Sequence, residues 1–188
     1  MEGHPLVLVF DTETSGLNAG FNKVLSLSWQ LIDTSTWEKV EEESRYFDWP
    51  ADESCVSARA IEVNGLTRER LQELGTTTVK AGVSDFDKAL SRARLAVAHN
   101  ATFDKPFINS MYIEVGRSVP KWPMTYDTMV EMTDFCAIPG YYGDYKWPKL
   151  IELAECLGID DSDIDYHQSA ADVELTARCF REIIACGY

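Results

Sequence analysis

The sequence predicts an α/β fold in which a sheet comes first and most of the helices follow it. Three observations carry that expectation. Five apolar residues, Leu6 to Phe10, run without a break and stop at Asp11. Val24 to Asp33 then alternates, with Leu25, Leu27, Trp29 and Leu31 on one face and Ser26, Ser28 and Gln30 on the other. Beyond residue 57 the apolar spacing becomes helical, interrupted by a second short apolar run, Leu95 to Ala98. Periods of two and of 3.6 distinguish strands from helices. Strands first, then helices with one strand among them, suit a single layered domain over residues 1–188.

Taken in order, Leu6 to Phe10 reads as a buried strand that turns at Ser15-Gly16. Asn18 to Lys23 is a polar loop, and Val24 to Asp33 a half-buried strand. Asp33-Thr34-Ser35-Thr36 is turn chemistry, and Lys39 to Asp48 returns as a third, more exposed strand. Loops this short imply an antiparallel meander. Ser57 to Val63 is a short helix, and Thr67 caps another through Leu74. Ser84 to Arg94 is a helix with Ser84 as its cap and Phe86, Leu90 and Ala93 on its apolar face. Leu95 to Ala98 is a strand parallel to the first. Phe103 to Val115 is helical, with Pro106 in its first turn and Gly116 just beyond its end. Tyr126 to Cys136 and Trp147 to Leu157 are helical, the latter stopped by Gly158. Ser169 to Cys186 is the last and longest helix, stopped by Gly187.

With 45% hydrophobic residues, 188 residues suffice for a sizeable core. The net charge of −14 argues against a broad basic surface gripping phosphates. It leaves room for a small site where metal ions carry the positive charge. Five cysteines, an odd number with no C-x-x-C pair, read as reduced thiols of a cytoplasmic protein. Only three histidines exist and none lies near a cysteine pair, which disfavours zinc. The N-terminus has no basic start or small-residue cleavage site, and no apolar run reaches membrane-spanning length, so no membrane partner is expected.

Three places carry chemistry. Asp11 and Glu13, two apart on a strand, share a face and repel each other unless something positive sits between them. A divalent cation with oxygen ligands answers that need; a polar strand end also accounts for the pair. Asp104 falls where the second apolar strand gives way to a helix, either a ligand position or a cap. Phe103 beside it is core or a platform for a base. His167 and Asp172 are five residues apart, which on one helix turns them about 140° from each other. They share a site only if His167 precedes the helix and Asp172 lies in its first turn. Ser169 as cap fits that, although Ser169 and Asp172 also have capping-box spacing and His167 also suits a solvated loop.

D-x-E on a strand, then H-N-x-x-F-D at 99–104, then H-x-x-x-x-D at 167–172, resemble in order and spacing the histidine-type DEDD (DnaQ-like) exonucleases. That family includes the proofreading epsilon subunit of bacterial DNA polymerase III and oligoribonuclease. The resemblance runs from Val7 to about Phe180. Ala60 to Thr67 resembles the family's segment before the second motif, with Asn64 where a histidine is frequent. Asp127-Thr128 resembles its D-T pair, and Leu150 to Ile159 the helix before its third motif.

The resemblance implies a ribonuclease-H-like mixed sheet, an antiparallel meander plus parallel strands, flanked by helices. It implies a metal-dependent 3′→5′ exonuclease releasing nucleoside 5′-monophosphates from the 3′ ends of single-stranded nucleic acid, DNA first and RNA as the alternative. Asp11, Glu13, Asp104 and Asp172 would hold two divalent cations, Mg²⁺ or Mn²⁺, with Asp11 bridging both. His167 would be the general base. Thr14, Ser15, Gly16, Leu17 and Leu66 would hold the terminal nucleotide, and Asn100 and Phe103 would line the cleft. No polymerase-binding tail and no sliding-clamp peptide is evident, so a stand-alone or differently recruited nuclease is expected. A module that binds nucleic-acid ends without cutting, or a structural subunit, is the reading from another class; neither needs five acid–base residues kept together.

Overall fold

The computed structural model describes residues 5–164 and 170–188. His167 and Ser169, which the third motif includes, lie outside the described residues. The first apolar run forms β1 (Leu6–Thr14), followed by β2 (Val24–Asp33) and β3 (Glu38–Phe47). These three are antiparallel neighbours, with Phe10 opposite Trp29 and Trp29 opposite Glu43. The short strand β4 (Thr76–Thr77) pairs parallel with β3. On the other side of β1, β5 (Leu95–Ala98) and β6 (Met124–Asp127) are both parallel to it. The sheet therefore runs β4-β3-β2-β1-β5-β6, the mixed sheet flanked by helices that the sequence predicts.

The helices are α1 (Ala58–Asn64), α2 (Arg68–Leu74), α3 (Val79–Leu90), α4 (Ala101–Glu114), α5 (Thr128–Glu131), α6 (Thr133–Cys136), α7 (Leu150–Leu157) and α8 (Ala171–Ala185). Alternation along β1 divides the core. Leu8 and Phe10 join Leu27, Trp29 and Leu31 in a layer closed by Phe86 and Leu90 of α3 and Phe107, Ile108 and Met111 of α4. Val7 and Val9 point the other way, with Ile32 and Val97, beneath Val173, Ala177 and Phe180 of α8. Burial of these apolar side chains drives the layering.

Several elements differ from the sequence expectation. β2 is not half-buried: Ser26, Ser28 and Gln30 on its polar face are as covered as the leucines on the other. The Gln30 amide nitrogen donates to Glu42 and to Glu174 of α8, each at 2.8 Å. Buried polar groups persist where such partners exist. Helix α3 begins at Val79, five residues before Ser84, because the Thr78 hydroxyl accepts from the Ala81 N–H at 3.2 Å. Gly82 conceals that turn in the sequence; a Cβ there would lie 2.5 Å from the Phe47 ring. Tyr126 and Asp127 belong to β6, and the expected helix after them is split into α5 and α6. Helix α4 starts at Ala101, not Phe103, and α7 at Leu150, not Trp147. The caps at Thr67 and Gly158 form as expected, Gly158 with a left-handed φ of 69°. The five cysteines are unbridged. No described helix is long and apolar enough to cross a membrane.

Candidate active site

Strands β1 and β5 are parallel, with Val9 beside Val97, so their carboxyl ends open at the same edge of the sheet. That is where open α/β sheets place ligands. Asp11 and Glu13 are the odd-numbered residues continuing the Val7–Val9 face, and that face looks toward α8. Asp172, in the first turn of α8, meets them there. One carboxylate oxygen from each of Asp11, Glu13 and Asp172 lies within 4.8 Å of the others.

Asp104 reaches the same strand from the opposite layer. It occupies the first turn of α4, where Asn100 rather than Asp104 is the cap residue. One oxygen of its carboxylate is tied to the strand: Oδ1 accepts from the Thr12 backbone N–H at 3.1 Å and from the Thr12 hydroxyl at 2.6 Å. Thr12, between the two acids and facing α4, thus ties Asp104 to the strand that carries Asp11 and Glu13. Asp104 is 2% exposed.

Burial, reinforced by neighbouring acids at Asp11, Glu13 and Asp104, raises the carboxylates of the cluster. Burial raises Asp11 well above the usual carboxylate range, and the charges of Asp104, Glu13 and Asp172 raise it further. Burial, with Asp172 beside it, lifts Glu13 to about 7. Burial lifts Asp104 to about 7 against the two Thr12 bonds, which favour its ionised form. Burial also raises Asp172. The leading influences that raise these four carboxylates are burial and neighbouring acids. An all-oxygen donor set with negative charge in excess suits hard divalent cations such as Mg²⁺ or Mn²⁺.

The surrounding loops are held by backbone and side-chain bonds. The Thr14 hydroxyl donates to the Gly16 carbonyl at 2.6 Å, and the Thr14 carbonyl accepts from the Asn64 amide at 3.0 Å. Ser15 is fully buried, its hydroxyl donating to the Cys55 carbonyl at 2.7 Å. Gly16 packs against the Asn22 side chain, where a Cβ would come within 2.4 Å. Leu17 projects into solvent at 85% exposure, whereas Leu66 is packed with Leu25 and Leu71. Asn100 is left-handed at φ 82°, a conformation that asparagine tolerates better than most residues. Phe103 is half-buried against Phe107, ring centroids 4.9 Å apart.

Three further groups received no role from the sequence, although His99 and Asp127 stand within the motifs that carry the resemblance. Thr12 had only its alternation to mark it. Asp127 accepts at Oδ1 from the N–H groups of Asn100 and Met129, each at 3.1 Å, which joins β6 and α5 to the turn before α4. Its Oδ2 is buried with no partner among the described residues. His99 lies between the Thr128 hydroxyl, 2.9 Å from Nδ1, and the Pro148 carbonyl, 3.1 Å from Nε2. A carbonyl only accepts, so Nε2 carries the proton and Nδ1 accepts from Thr128; burial holds this histidine below its usual pKa.

An exonuclease family of the RNase T type matches residues 8–180 of the chain. A DNA polymerase III of the PolC type from Halalkalibacterium halodurans is 30% identical over 169 residues, 90% of this chain and 11% of the relative. Its Bacillus subtilis counterpart is 30% identical over 173 residues, again 90% of this chain and 11% of the relative. The chain thus spans about a tenth of the length of these relatives. Among solved structures, a product-bound exonuclease I superposes with a TM-score of 0.80 at 18% identity, covering 97% of this chain and 44% of that one. Escherichia coli exonuclease I in complex with a dT13 oligonucleotide gives 0.78 at 17% identity, covering 95% and 41%. These likenesses concern the fold; the family match extends over nearly the whole chain, which is a member of the RNase T exonuclease family.

Proposed function

We propose that this chain is a 3′→5′ exonuclease that removes nucleoside 5′-monophosphates from single-stranded DNA. The observation that carries the proposal is the convergence of Asp11, Glu13 and Asp172, from opposite ends of an exonuclease-family chain, with one carboxylate oxygen of each within 4.8 Å of the others. Asp11, Glu13 and Asp172 would hold the divalent cations, with Asp104 supporting the second. Two such cations supply positive charge to the attacking and leaving oxygens of an in-line displacement. His167, by resemblance, takes the proton from the attacking water; its unperturbed pKa near 6.5 suits that role near neutral pH. Asp104, fixed by Thr12, keeps the field at Asp11 negative. By resemblance, Thr14 to Leu17 and Leu66 would hold the terminal nucleotide, and Asn100 and Phe103 would line the cleft. DNA is favoured over RNA because the relatives are DNA polymerases and a structural neighbour holds a dT13 oligonucleotide. The unbridged cysteines suit a cytoplasmic protein.

The test uses labelled single-stranded DNA and RNA oligomers with Mg²⁺, Mn²⁺ or chelator. A 3′-phosphate should stop degradation, a blocked 5′ end should not, and chelator should abolish release of mononucleotides. His167→Ala should lower the rate roughly 10²–10⁴-fold and remove the low-pH limb of the rate profile. Cleavage of a circular single strand would overturn the polarity, and faster release from RNA would overturn the substrate. Binding without metal-stimulated release would leave only an end-binding module.

A further inference from the structure

We propose that the aromatic hairpin from Ile138 to Trp147 is a base-stacking subsite for the single strand that leads away from the candidate active site. The proposal rests on the exonuclease reading above for its ligand and on separate observations for its place.

Four aromatic side chains lie uncovered within seven residues: Tyr141 is 94% exposed, Tyr142 90%, Tyr145 50% and Trp147 63%. Apolar surface clustered in this way marks a binding surface. The hairpin is built, not loose. Pro139 and Tyr145 form an antiparallel bridge, the Gly140 N–H donates to the Asp144 carbonyl at 2.6 Å, and the Lys146 N–H to the Ile138 carbonyl at 3.0 Å. A Cβ on Gly140 would lie 2.9 Å from that same carbonyl oxygen, and Gly143 turns the tip at φ 89°. The rings of Tyr141 and Tyr142 meet edge to face at 5.1 Å, which leaves ring faces open to solvent.

The foot of the hairpin is fastened to the candidate site. Pro148, next to Trp147, offers its carbonyl to His99 Nε2 at 3.1 Å. His99 follows β5 two residues beyond Val97, and Asp11 lies two residues beyond Val9, its partner on β1. Adjacent strands are about 4.8 Å apart, so the aromatic segment rises from the same sheet edge as the acid cluster.

Stacking rather than charge is the binding mode that this surface offers. The one lysine of the hairpin, Lys146, already meets both oxygens of the Glu152 carboxylate at 2.6 Å. The whole chain carries a net charge of −14, so phosphate contacts alone bind a strand poorly. Aromatic faces accept any base and add roughly 5- to 150-fold in affinity per stacked base, from about 1–3 kcal/mol each.

The experiment is an anisotropy titration in chelator with a labelled thymidine oligomer of about 12 nucleotides, within the span a stacking surface occupies, and with an abasic oligomer of equal length and charge. The wild type should prefer the thymidine oligomer. Tyr141→Ala/Tyr142→Ala should weaken it about tenfold or more and leave the abasic oligomer unaffected, and Tyr141→Phe/Tyr142→Phe should restore binding. Equal affinity of wild type for both oligomers would overturn the subsite without recourse to any variant. So would undetectable binding, an equal loss on the abasic strand, failure of the phenylalanine pair, or a change confined to self-association, which would make the occupant a second copy of the chain. Release of mononucleotide by the wild type in Mn²⁺ is measured separately. Its absence would sink the exonuclease reading, while the two oligomers still decide the hairpin.

Discussion

Glu13→Gln removes one charge from the acid cluster at nearly constant shape, and the metal-free protein should become more stable. The magnitude follows from the displacement of Glu13 from 4.5 to about 7. Each unit is worth 1.36 kcal/mol, so the ionised side chain costs the fold about 3 kcal/mol. The folded state binds the Glu13 proton more tightly than the unfolded chain does. Wild-type stability therefore falls as pH rises from about 4.5 to about 7, and the deficit is complete above that window. In chelator at pH 8 the variant should exceed wild type by about 3 kcal/mol, or about 6–12 °C in Tm at 2–4 °C per kcal/mol for this length. Near pH 4 the two should melt together. Mn²⁺ should close most of that gap, since a hundredfold excess over Kd stabilises a binding protein by about 2.7 kcal/mol and the variant, one ligand short, gains less. Melting curves of both proteins at three pH values, in chelator and in Mn²⁺, decide it. Identical melts in chelator at pH 8, or a difference that ignores pH, would refute the strained acid cluster.

Thr12→Val deletes the 2.6 Å hydroxyl bond to the buried Asp104 carboxylate and spares the backbone bond. The cost should be about 1.5–3 kcal/mol by urea denaturation at pH 8. It should shrink at pH 6, where Asp104, lifted to about 7, is mostly protonated. Gly82→Ala gains about 1 kcal/mol of helix propensity but sets a methyl 2.5 Å from the Phe47 ring. Overpacking of about 1–3 kcal/mol should win, and a gain in Tm would show that Phe47 yields freely. Affinity for a single-stranded oligomer should fall less than about tenfold between 50 and 200 mM salt, against about 10³–10⁵-fold for proteins with many phosphate contacts. A steep slope would reveal a basic surface.

Much of the fold was legible because its signals are local. The end of β1 at Thr14 follows from an apolar run meeting polar residues, and α2 from Thr67 as cap. What escaped depends on distant partners. Ser26, Ser28 and Gln30 look like a wet strand face until Glu174, 144 residues away, reaches Gln30. The helix expected from Ser84 starts five residues earlier, at Val79, and carries Gly82 where a Cβ would meet the Phe47 ring of β3. β6 is four residues long with no buried member, too short and too mixed for a period to show. At the site, Asp11 and Glu13 were legible from strand alternation, and the ordered motifs pointed to Asp104 and Asp172. The work of Asp104 was not, because a cap and a cross-layer tie to Thr12 leave the same mark in a sequence. His167 lies outside the described residues, and its role rests on the motif.

The tie between Gln30 and Glu174 bears on how the molecule comes into being. Glu174 sits two residues beyond Asp172, so docking α8 on the sheet, through this bond and the packing of Val173, Ala177 and Phe180, also brings Asp172 to Asp11 and Glu13. The meander of β1 to β3 needs only neighbours in the chain, whereas seating α8 must first close a loop of nearly the whole length, at an entropic cost that grows with that length. Such closures come late in folding and limit its speed. An intermediate with the meander formed but α8 undocked has a sheet without an acid cluster. Docking of α8 therefore also completes the acid cluster, and a probe of the Gln30–Glu174 contact reports on the assembly of the candidate site.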